Sequence, residues 1–382
     1  MFFGAPQSFR QNYALPFAIY WPRTDAGDGL VTISIIIKSL NEEANIARAI
    51  ESALRAVAPF GGEVVLADSG SRDLTIEIAR RYPILIVQLA DPEEACCGLG
   101  PQLGFQHCNG DFIYILDGDM ELQADFVATA MRMLADDPAL AGVGGYIREM
   151  NQANLAFKAR AKRGASQRSE VAREVDCLGG GGLYRRASLQ SVGYMSDRNL
   201  HSLEEYDLGK RLKLKGWRMH ILPDHAADHY SYTLSTAALL LHKLRGGFFL
   251  GQGDMLRAAA ASGYLRQVFG DVRAIRYSLA VLAFWSLVTA LAIIAHVLVL
   301  GFGPALVFGM ALLALAVVVA AVARNHGGLV SGLNSVFIWH VSAVGLIAGL
   351  LRHRTPPTTP IADVVTHDAV TNLANYRAAA AE

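Results

Sequence analysis

The stretch that decides the fold is DFIYILDGDME, residues 111–121. Its first part, residues 112–116, is an uninterrupted run of β-branched, aromatic and leucine side chains, which is typical of a strand buried on both faces. The run stops abruptly at Asp117, Gly118 and Asp119. We therefore predict a central strand that ends in an acidic turn.

This acidic turn has the composition of a metal site. Residues two apart in an extended chain point the same way, so Asp117 and Asp119 can converge on one point, and Glu121 repeats the spacing. Gly118 has no Cβ and lets a ligand approach the backbone closely. Two hard oxygen ligands beyond the carboxyl end of a buried strand suit a divalent cation that keeps positions open for phosphate oxygens. The alternative is a solvated turn without a ligand, since such tripeptides are common in turns.

The first half of the chain repeats a strand–loop–helix unit. Further strands are predicted at 31–37, 63–67, 84–89, 141–146 and 219–222, and helices at 44–57, 74–81, 124–134 and 203–216. The repetition predicts parallel strands joined by right-handed crossovers, with ligands at the carboxyl edge of the sheet. Three polar loops, 38–43, 68–73 and 117–121, fall on that edge.

Four motifs, in order along the chain, resemble those of the family 2 glycosyltransferases with the GT-A fold. They are KSLNEE at 38–43, DSGSRDLT at 68–75, DGDM at 117–120 and EEYDL at 204–208. The resemblance covers about residues 31–230. It implies an α/β fold of the GT-A nucleotide-diphospho-sugar transferase type, with a mostly parallel sheet flanked by helices. Interfacial and transmembrane helices are predicted to follow this domain.

The resemblance also implies a donor site. By it, Asp68 holds the nucleotide base through an imide N–H, and Asp117 and Asp119 bind the diphosphate through Mg²⁺ or Mn²⁺. The implied nucleotide-binding residues are Ser39, Asn41, Glu43, Asp68, Gly70, Ser71, Asp117 and Gly118. Lys38 departs from the family pattern, where proline is common, and a solvated loop cation is one interpretation of it. The DSGS segment could alternatively be a turn that caps the next helix.

The acidic motif supplies the catalytic candidates. Residues 203–216 predict an amphipathic helix with acids in its first turn and basic residues toward its end. The resemblance aligns Glu205 with the carboxylate that the family uses as general base, and Glu204 is the fallback. Asp207 is a further catalytic candidate, but it lies four residues before Arg211 and could instead form a surface ion pair.

Three further features are predicted to border the site. Gly180, Gly181 and Gly182 belong to a run of four glycines, which is costly to order and suggests that another surface approaches the backbone; a flexible loop is the alternative. In the resembling family this region borders the sugar and acceptor, and we assign Arg245 to the same region. His229 could reach the metal or the leaving diphosphate, or be a packed or surface histidine.

The last third of the chain is predicted to associate with a membrane. Residues 236–249 mix apolar and basic side chains, which predicts a helix in the membrane interface, with a soluble core helix as the alternative. Three apolar stretches, 274–300, 304–322 and 329–351, are each long enough to cross a bilayer of about 30 Å. Basic residues precede the first stretch and follow the second. By the positive-inside rule both of these flanks lie on the cytoplasmic side, so the first two stretches are predicted to form a hairpin. The third ends in the basic segment RHR at 352–354, so it either re-enters without crossing or overrides the charge rule.

These segments divide the chain into five predicted parts: an N-terminal arm 1–30, a GT-A catalytic domain 31–232, interfacial helices 233–272, two to three transmembrane helices 273–352 and an irregular tail 353–382. No secretory signal is expected in the arm, because it lacks a basic segment followed by an apolar core. The formal net charge of zero and the lack of a basic run argue against nucleic acid as a partner. Four cysteines without zinc-site or disulfide spacing favour reduced thiols.

Together the patterns predict an inverting glycosyltransferase in the cell (inner) membrane, multi-pass, with a cytoplasmic catalytic domain. It would move a sugar from a nucleotide-diphosphate donor, expected to be a UDP-sugar, to a membrane-associated, lipid-linked acceptor in envelope polysaccharide or glycolipid synthesis. One alternative is a nucleotidyltransferase, although the sequence lacks a glycine-rich phosphate loop after the first strand. The other is a non-catalytic membrane scaffold, against which Asp117, Asp119 and Glu205 argue.

Overall fold

The computed structural model describes residues 32–167, 170–299, 303–326 and 328–367. The predicted N-terminal arm, and with it the expectation about a secretory signal, lies outside these residues. Within them the strands are β1 Ile33–Ser39, β2 Glu63–Asp68, β3 Leu85–Leu89, β4 Phe112–Asp117, β5 Met120–Leu122, β6 Leu140–Glu149, β7 Arg173–Val175, β8 Gly182–Arg185, β9 Arg218–His229 and β10 Asp363–His367.

The helices fall into two sets, one around the sheet and one beyond it. Around the sheet are α1 Ile46–Val57, α2 Thr75–Ala79, α3 Leu99–His107, α4 Ala124–Asp136, α5 Leu155–Gln167, α6 Arg186–Ser191 and α7 Glu204–Leu214. Beyond it are α8 Thr236–Arg245, α9 Gly251–Ser262, α10 Leu265–Asp271, α11 Arg273–Val299, α12 Gly303–His326 and α13 Leu329–Leu351. The predicted strands and helices of the first half are confirmed, whereas α3, α5, β5, β7 and β8 were not predicted.

All ten strands belong to one sheet, ordered β10-β3-β2-β1-β4-β8-β6-β9-β5, with β7 paired to β9. The segment β3-β2-β1-β4 is parallel throughout, as the strand–loop–helix repeat predicts. β8 then runs antiparallel to both β4 and β6, and β9 runs parallel to β6. The sheet is therefore mixed, with a parallel half followed by a continuation that contains both antiparallel and parallel pairs.

Helices cover both faces of the sheet, and the alternation of side chains along β1 assigns each face. Ile33, Ile35 and Ile37 pack against α1 and α4 in one buried cluster. Ile36 faces the opposite way, into a second cluster with α3 and α7. A strand buried on both faces takes apolar side chains on both of them, and this explains the run of isoleucines at 35–37.

The register of the parallel strands brings the polar loops together. Ser39 at the end of β1 pairs with Asp68 at the end of β2, and Lys38 pairs with Asp117 at the end of β4. The first residues of three loops thus lie side by side at the carboxyl edge of the sheet, as predicted for parallel strands. The candidate site is built at this edge.

Beyond the sheet, α9 and α10 pack with the beginning of α11 and the end of α13 around a third buried cluster. Three helices, at 273–298, 303–325 and 329–351, are long and apolar enough to cross a membrane. The predicted irregular tail is wrong for residues 363–367, which form β10 and pair antiparallel with β3. The edge of β3 offers unpaired backbone groups, and a short polar segment returning from the last helix can satisfy them without an apolar pattern of its own.

Candidate active site

A tight turn and a neighbouring strand build the predicted metal site. β4 ends at Asp117, the N–H of Gly118 donates to the Lys38 carbonyl at 2.9 Å, and Asp119 follows. β5 pairs antiparallel with β9, which brings His229 to the turn, with its Nε2 3.1 Å from Oδ2 of Asp119. Ligand atoms of Asp117, Asp119 and His229 lie within 4.8 Å of one another. These three side chains could hold a metal ion.

A buried carboxylate fixes His229 from its other side. Nδ1 of His229 lies 3.0 Å from Oε2 of Glu149, which also lies 3.4 Å from Nη1 of Arg160. Burial lowers the pKa of His229, but the hydrogen bonds to Asp119 and Glu149 outweigh it and raise the pKa to about 9. Burial likewise raises the pKa of Glu149, and the hydrogen bond with His229 reverses this and lowers it. The ring is therefore held with Nε2 toward Asp119.

Lys38 forms an ionic bridge between the acidic turn and helix α7. Its Nζ lies 3.0 Å from Oδ1 of Asp117 and 3.3 Å from Oε1 of Glu204. Burial lowers the pKa of Lys38, but Asp117, Glu204 and Glu205 outweigh it and raise the pKa, so the ammonium stays charged. Burial raises the pKa of Asp117, and the Lys38 ammonium outweighs this and lowers it. Lys38 is thus a structural cation of the site and not a solvated loop residue.

Glu205 stands at the wall of the cavity, at the beginning of α7. Burial and the charge of Glu204 raise its pKa, Lys38 opposes both, and together they bring the pKa to about 7. Glu204 itself is buried against Lys38. Of the two neighbouring glutamates, Glu205 is therefore the one that faces the open cavity and can exchange a proton near neutral pH.

The cavity has a volume of about 380 Å³ and joins the metal group to Glu205. Its wall carries three arginines, and the residues that matter for the chemistry are Asp117, Glu149, Arg160, Arg163, Arg173, Gly180, Glu205 and His229. Carboxylates and guanidinium groups thus line the same cavity, and Arg160 lies close to the metal group, 3.4 Å from Oε2 of Glu149 and 2.8 Å from Nδ1 of His229. Such a cavity can bind a group that carries both a metal-coordinated diphosphate and hydroxyls.

The glycine run lies where the backbone is crowded. Gly180 and Gly181 have φ angles of +83° and +97°, which side-chain-bearing residues rarely adopt. Gly180 lines the cavity, and a Cβ on Gly181 would overlap the Ile115 carbonyl oxygen. Gly182 begins β8, beside the carbonyl of Val143. The run therefore lets a loop pass close to the end of β4 while it forms part of the cavity wall.

The two loops predicted to bind the nucleotide, 38–43 and 68–73, form one hydrogen-bonded unit. The buried Asp68 carboxylate accepts from Ser39 Oγ at 3.0 Å, and from the N–H groups of Gly70 at 3.0 Å and Ser71 at 2.9 Å. Asn41 Oδ1 and Glu43 Oε2 accept backbone N–H groups of the second loop at 2.8 and 3.0 Å. Among the described residues around the cavity, none belongs to these loops. Their role in base binding stays a prediction.

Three predicted site residues lie elsewhere in the structure. Glu121 points to the far side of β5, where it accepts from the Tyr230 hydroxyl at 2.9 Å, and it is not part of the metal group. Asp207 is fully buried and its Oδ2 accepts from Nε of Arg211 at 2.8 Å, so it positions α7 and does not contact the cavity. Arg245 is exposed at the end of α8 and does not line the cavity.

The cavity also contains residues that the sequence argument missed. Glu149, which orients His229, ends a strand that was predicted to stop at residue 146. Arg160 and Arg163 lie on α5, within the segment KARAKR at 158–163. A cluster of basic residues soon after a predicted strand, in a chain without net charge, is the signal that could have marked them as anion-binding.

The chain has a fold of the GT-A type. Its residues 34–193 match the family model "Glycosyl transferase family 2". Its GT-A fold is similar to that of the mannosyltransferase PcManGT from Pyrobaculum calidifontis, solved in complex with GDP-Man and Mn²⁺. That similarity has a TM-score of 0.50 at 17% identity and covers 84% of this chain and 86% of that one.

Two curated relatives carry similar sequences. One is the dolichyl N-acetyl-alpha-D-glucosaminyl phosphate 3-beta-D-2,3-diacetamido-2,3-dideoxy-beta-D-glucuronosyltransferase of Methanococcus voltae. It is 22% identical over 250 residues, which cover 57% of this chain and 75% of the relative. The other is glucosyl-3-phosphoglycerate synthase of Petrotoga mobilis, 33% identical over 102 residues. That match covers 25% of this chain and 29% of the relative.

Proposed function

We propose that the protein is an inverting, metal-dependent glycosyltransferase that transfers a sugar from a nucleotide-diphosphate donor to a lipid-linked acceptor at the membrane surface. The observation that carries this proposal is the convergence of Asp117, Asp119 and His229 at one end of a cavity whose wall holds Glu205. We also propose that residues 31–232 form the catalytic domain, residues 233–272 the interfacial helices and residues 273–352 the membrane part.

The three ligand residues fit a divalent cation. Two ligands on opposite sides of one Mg²⁺ or Mn²⁺ ion are about 4 Å apart, and the three donor atoms lie within 4.8 Å of one another. Two carboxylates suit either ion, and the imidazole of His229 favours Mn²⁺, because Mg²⁺ is bound almost wholly by oxygen. A bound cation would supply positive charge to the diphosphate of the donor.

Glu205 is proposed as the general base. A general base works best when its pKa lies near the working pH, and burial together with the charge of Glu204 raises the pKa of Glu205 to about 7. Its carboxylate would take the proton of an acceptor hydroxyl that faces the anomeric carbon of the sugar. A single displacement then inverts that carbon and releases the nucleoside diphosphate. Glu204, which is held by Lys38, would keep the beginning of α7 in place for this step.

The arginines of the cavity are proposed to bind phosphate. Arg160, Arg163 and Arg173 line the cavity, and guanidinium groups bind phosphate oxygens in pairs. The donor diphosphate and the phosphate of a lipid-linked acceptor are both candidates. We propose Ser39, Asn41, Glu43, Asp68, Gly70 and Ser71 as the neighbourhood of the nucleotide base.

A membrane-associated acceptor is supported by the position of α8. Asn154, just before α5, donates to the Leu234 carbonyl at 3.0 Å, and the ring centroids of Tyr232 and His242 are 5.1 Å apart. The polypeptide that leads to the apolar helices thus runs beside the cavity. The curated Methanococcus voltae relative is named for a dolichyl phosphate-linked sugar acceptor. We propose that the catalytic domain faces the cytoplasm of a cell with an inner membrane, where nucleotide sugars are made, and that a UDP-sugar is the donor.

The proposal is tested on purified full-length protein with a panel of nucleotide sugars, with and without Mn²⁺. Release of nucleoside diphosphate and a Mn²⁺-dependent rise in melting temperature with one donor are expected. Asp119→Asn should lose that rise, whereas Asp125→Asn, an exposed acid at the beginning of α4, should keep it. Equal donor stabilisation of Asp119→Asn and wild type would refute the metal assignment, and release of pyrophosphate from a nucleoside triphosphate would indicate a nucleotidyltransferase.

A further inference from the structure

The first apolar helix, α11, begins against the catalytic domain. Ile275 packs in a buried cluster with Met255 and Tyr264. Ser278 Oγ donates to Gln252 Oε1 at 2.6 Å. The side of the bilayer on which α11 begins is therefore the side that holds the catalytic domain, which we call the catalytic side.

The second apolar helix, α12, returns to the catalytic side. A Cβ on Gly303 would lie 2.9 Å from the Ala295 carbonyl oxygen, so the beginning of α12 touches the last turns of α11. At 1.5 Å per residue, residues 275–295 and 303–323 each span about 30 Å. The two helices thus form a hairpin of the length needed to cross a bilayer and come back.

The third apolar helix, α13, both begins and ends on the catalytic side. Near its beginning, a Cβ on Gly332 would lie 3.0 Å from Ala323 in the last turns of α12. Near its end, Gly349 lies so close to the Leu250 carbonyl oxygen that any side chain there would overlap it. Leu250 immediately precedes α9, which packs on the catalytic domain.

The segment after α13 is bound to the catalytic domain by side chains and backbone. Nη2 of Arg354 lies 2.7 Å from Oδ2 of Asp197. Asn199 accepts from the N–H of Thr355 at 2.9 Å and donates to its carbonyl at 2.8 Å. The chain then forms β10 on the edge of β3. Because the chain enters and leaves the apolar helices on one side, it must cross the bilayer an even number of times, and three crossings are excluded.

The middle of α13 lies beside the first half of α11. The rings of Tyr277 and Trp339 stack with centroids 4.6 Å apart, and those of Trp285 and His340 are 6.2 Å apart. Because both ends of α13 lie on the catalytic side, its 23 residues do not span the bilayer. Tyrosine and tryptophan also concentrate at the membrane interface.

We infer that α13 lies along the bilayer surface on the catalytic side, in contact with lipid headgroups and the upper acyl chains, and that the chain crosses the membrane twice. The helix has the two faces that such a position requires. One exposed apolar stripe repeats every seven residues, at Val330, Phe337, Val344 and Leu351. The opposite face, at Gly332, Val336, Ala343, Leu346 and Gly349, is buried against protein. The apolar stripe is continuous with the exposed apolar surface of α11 and α12, and lipid is therefore its occupant.

Depth measurements in reconstituted bilayers test this inference. Spin labels are placed singly at Phe337 and Val344, seven residues apart on the exposed stripe, and their collisions with oxygen and with a water-soluble relaxation agent give their depth. We expect equal depths within about 3 Å, whereas a crossing helix would separate them by about 10 Å. Leu306 and Leu313 of α12 are the matched control pair, both 67% exposed, and should differ by about 10 Å. A similar difference within α13 would overturn the inference.

Sidedness gives an independent test. Single cysteines at Asn325, before α13, and at His353, after it, are exposed to a membrane-impermeant maleimide on sealed vesicles whose catalytic domains face outward. Lys215→Cys reports the catalytic side. We expect all three to react without permeabilisation, and reaction of His353→Cys only after permeabilisation would overturn the inference. Since this requires replacing the four natural cysteines, an antibody against a C-terminal epitope on the otherwise unaltered chain repeats the measurement.

Discussion

Replacing Lys38 with methionine tests whether the site depends on an internal cation. Methionine keeps the length of the side chain and removes its charge. The change leaves Asp117 and Glu204 facing one another without the ammonium that lies 3.0 and 3.3 Å from them. It also removes the charge that opposes the rise in the pKa of Glu205. We therefore expect two separate effects, one on stability and one on the pH dependence of transfer.

The size of the stability effect follows from burial. Removing one partner of a fully buried ion pair costs about 3–5 kcal/mol. The side chains of Lys38, Asp117 and Glu204 are 19%, 28% and 9% exposed, so water screens part of this interaction. We expect Lys38→Met to lower the free energy of unfolding by about 2–3 kcal/mol. For a domain of this size that corresponds to a fall of about 5–10 °C in melting temperature.

The assay is the melting temperature of the detergent-purified chain, read from intrinsic fluorescence without ligand. Lys213→Met is the matched control: its ammonium also pairs with a carboxylate, Asp176, but it is 54% exposed, so a loss below about 1 kcal/mol is expected. Lys38→Arg keeps the charge and should lie between wild type and Lys38→Met. A difference of less than about 2 °C between the melting temperatures of Lys38→Met and Lys213→Met corresponds to less than about 1 kcal/mol. That result would show that the bridge does not stabilise the fold.

Three further predictions concern the base and the glycine run. Glu205→Gln should reduce transfer about 10²- to 10⁴-fold while donor binding, measured by thermal shift, stays as in wild type. Transfer by wild type should rise with pH and reach half its maximum near pH 7, because the raised pKa of Glu205 keeps the carboxyl protonated below that value and unable to accept a proton. A flat profile from about pH 5.5 to about pH 8.5, about 1.5 units on either side of that midpoint, would contradict this. Gly181→Ala should cost about 3–5 kcal/mol, since its Cβ would meet the Ile115 carbonyl and its φ is +97°, whereas Gly216→Ala, at φ +85° in open space, should cost about 1–2 kcal/mol.

Periodicity was enough to predict the parallel half of the sheet. The apolar runs that became β1, β2 and β4 are continuous because both faces of these strands are covered, and continuous runs are the strongest strand signal a single sequence offers. The carboxyl ends of parallel strands share one edge, so the positions of Asp68 and Asp117 followed from topology alone. The antiparallel continuation through β8 was not predicted, since four residues containing one glycine and one arginine carry no strand pattern.

The error at Glu121 has a specific geometric cause. The prediction extended the two-residue alternation of a strand through Asp117, Asp119 and Glu121. The chain turns after Asp117, and Met120 and Leu122 of β5 are instead buried in the core beneath the sheet. Glu121, between them, must point outward, where Arg55 lies 3.5 Å away. Asp117 and Asp119 therefore converge because of the turn, and the alternation rule does not apply beyond it.

The resemblance already favoured Glu205 over Glu204, and the fold adds a physical reason for that preference, which lies in Lys38. Neighbouring residues at the beginning of a helix point about 100° apart, so one of two adjacent glutamates can face the sheet while the other faces a cavity. Lys38, at the end of β1, holds Glu204 against the sheet at 3.3 Å. Glu205 then lies in a partly buried position beside the negative charges of Glu204 and Asp117. Burial and these charges together raise its pKa to about 7. A proline at position 38 would provide no such partner, so the departure of Lys38 from the pattern of the resembling family supports the role proposed for Glu205.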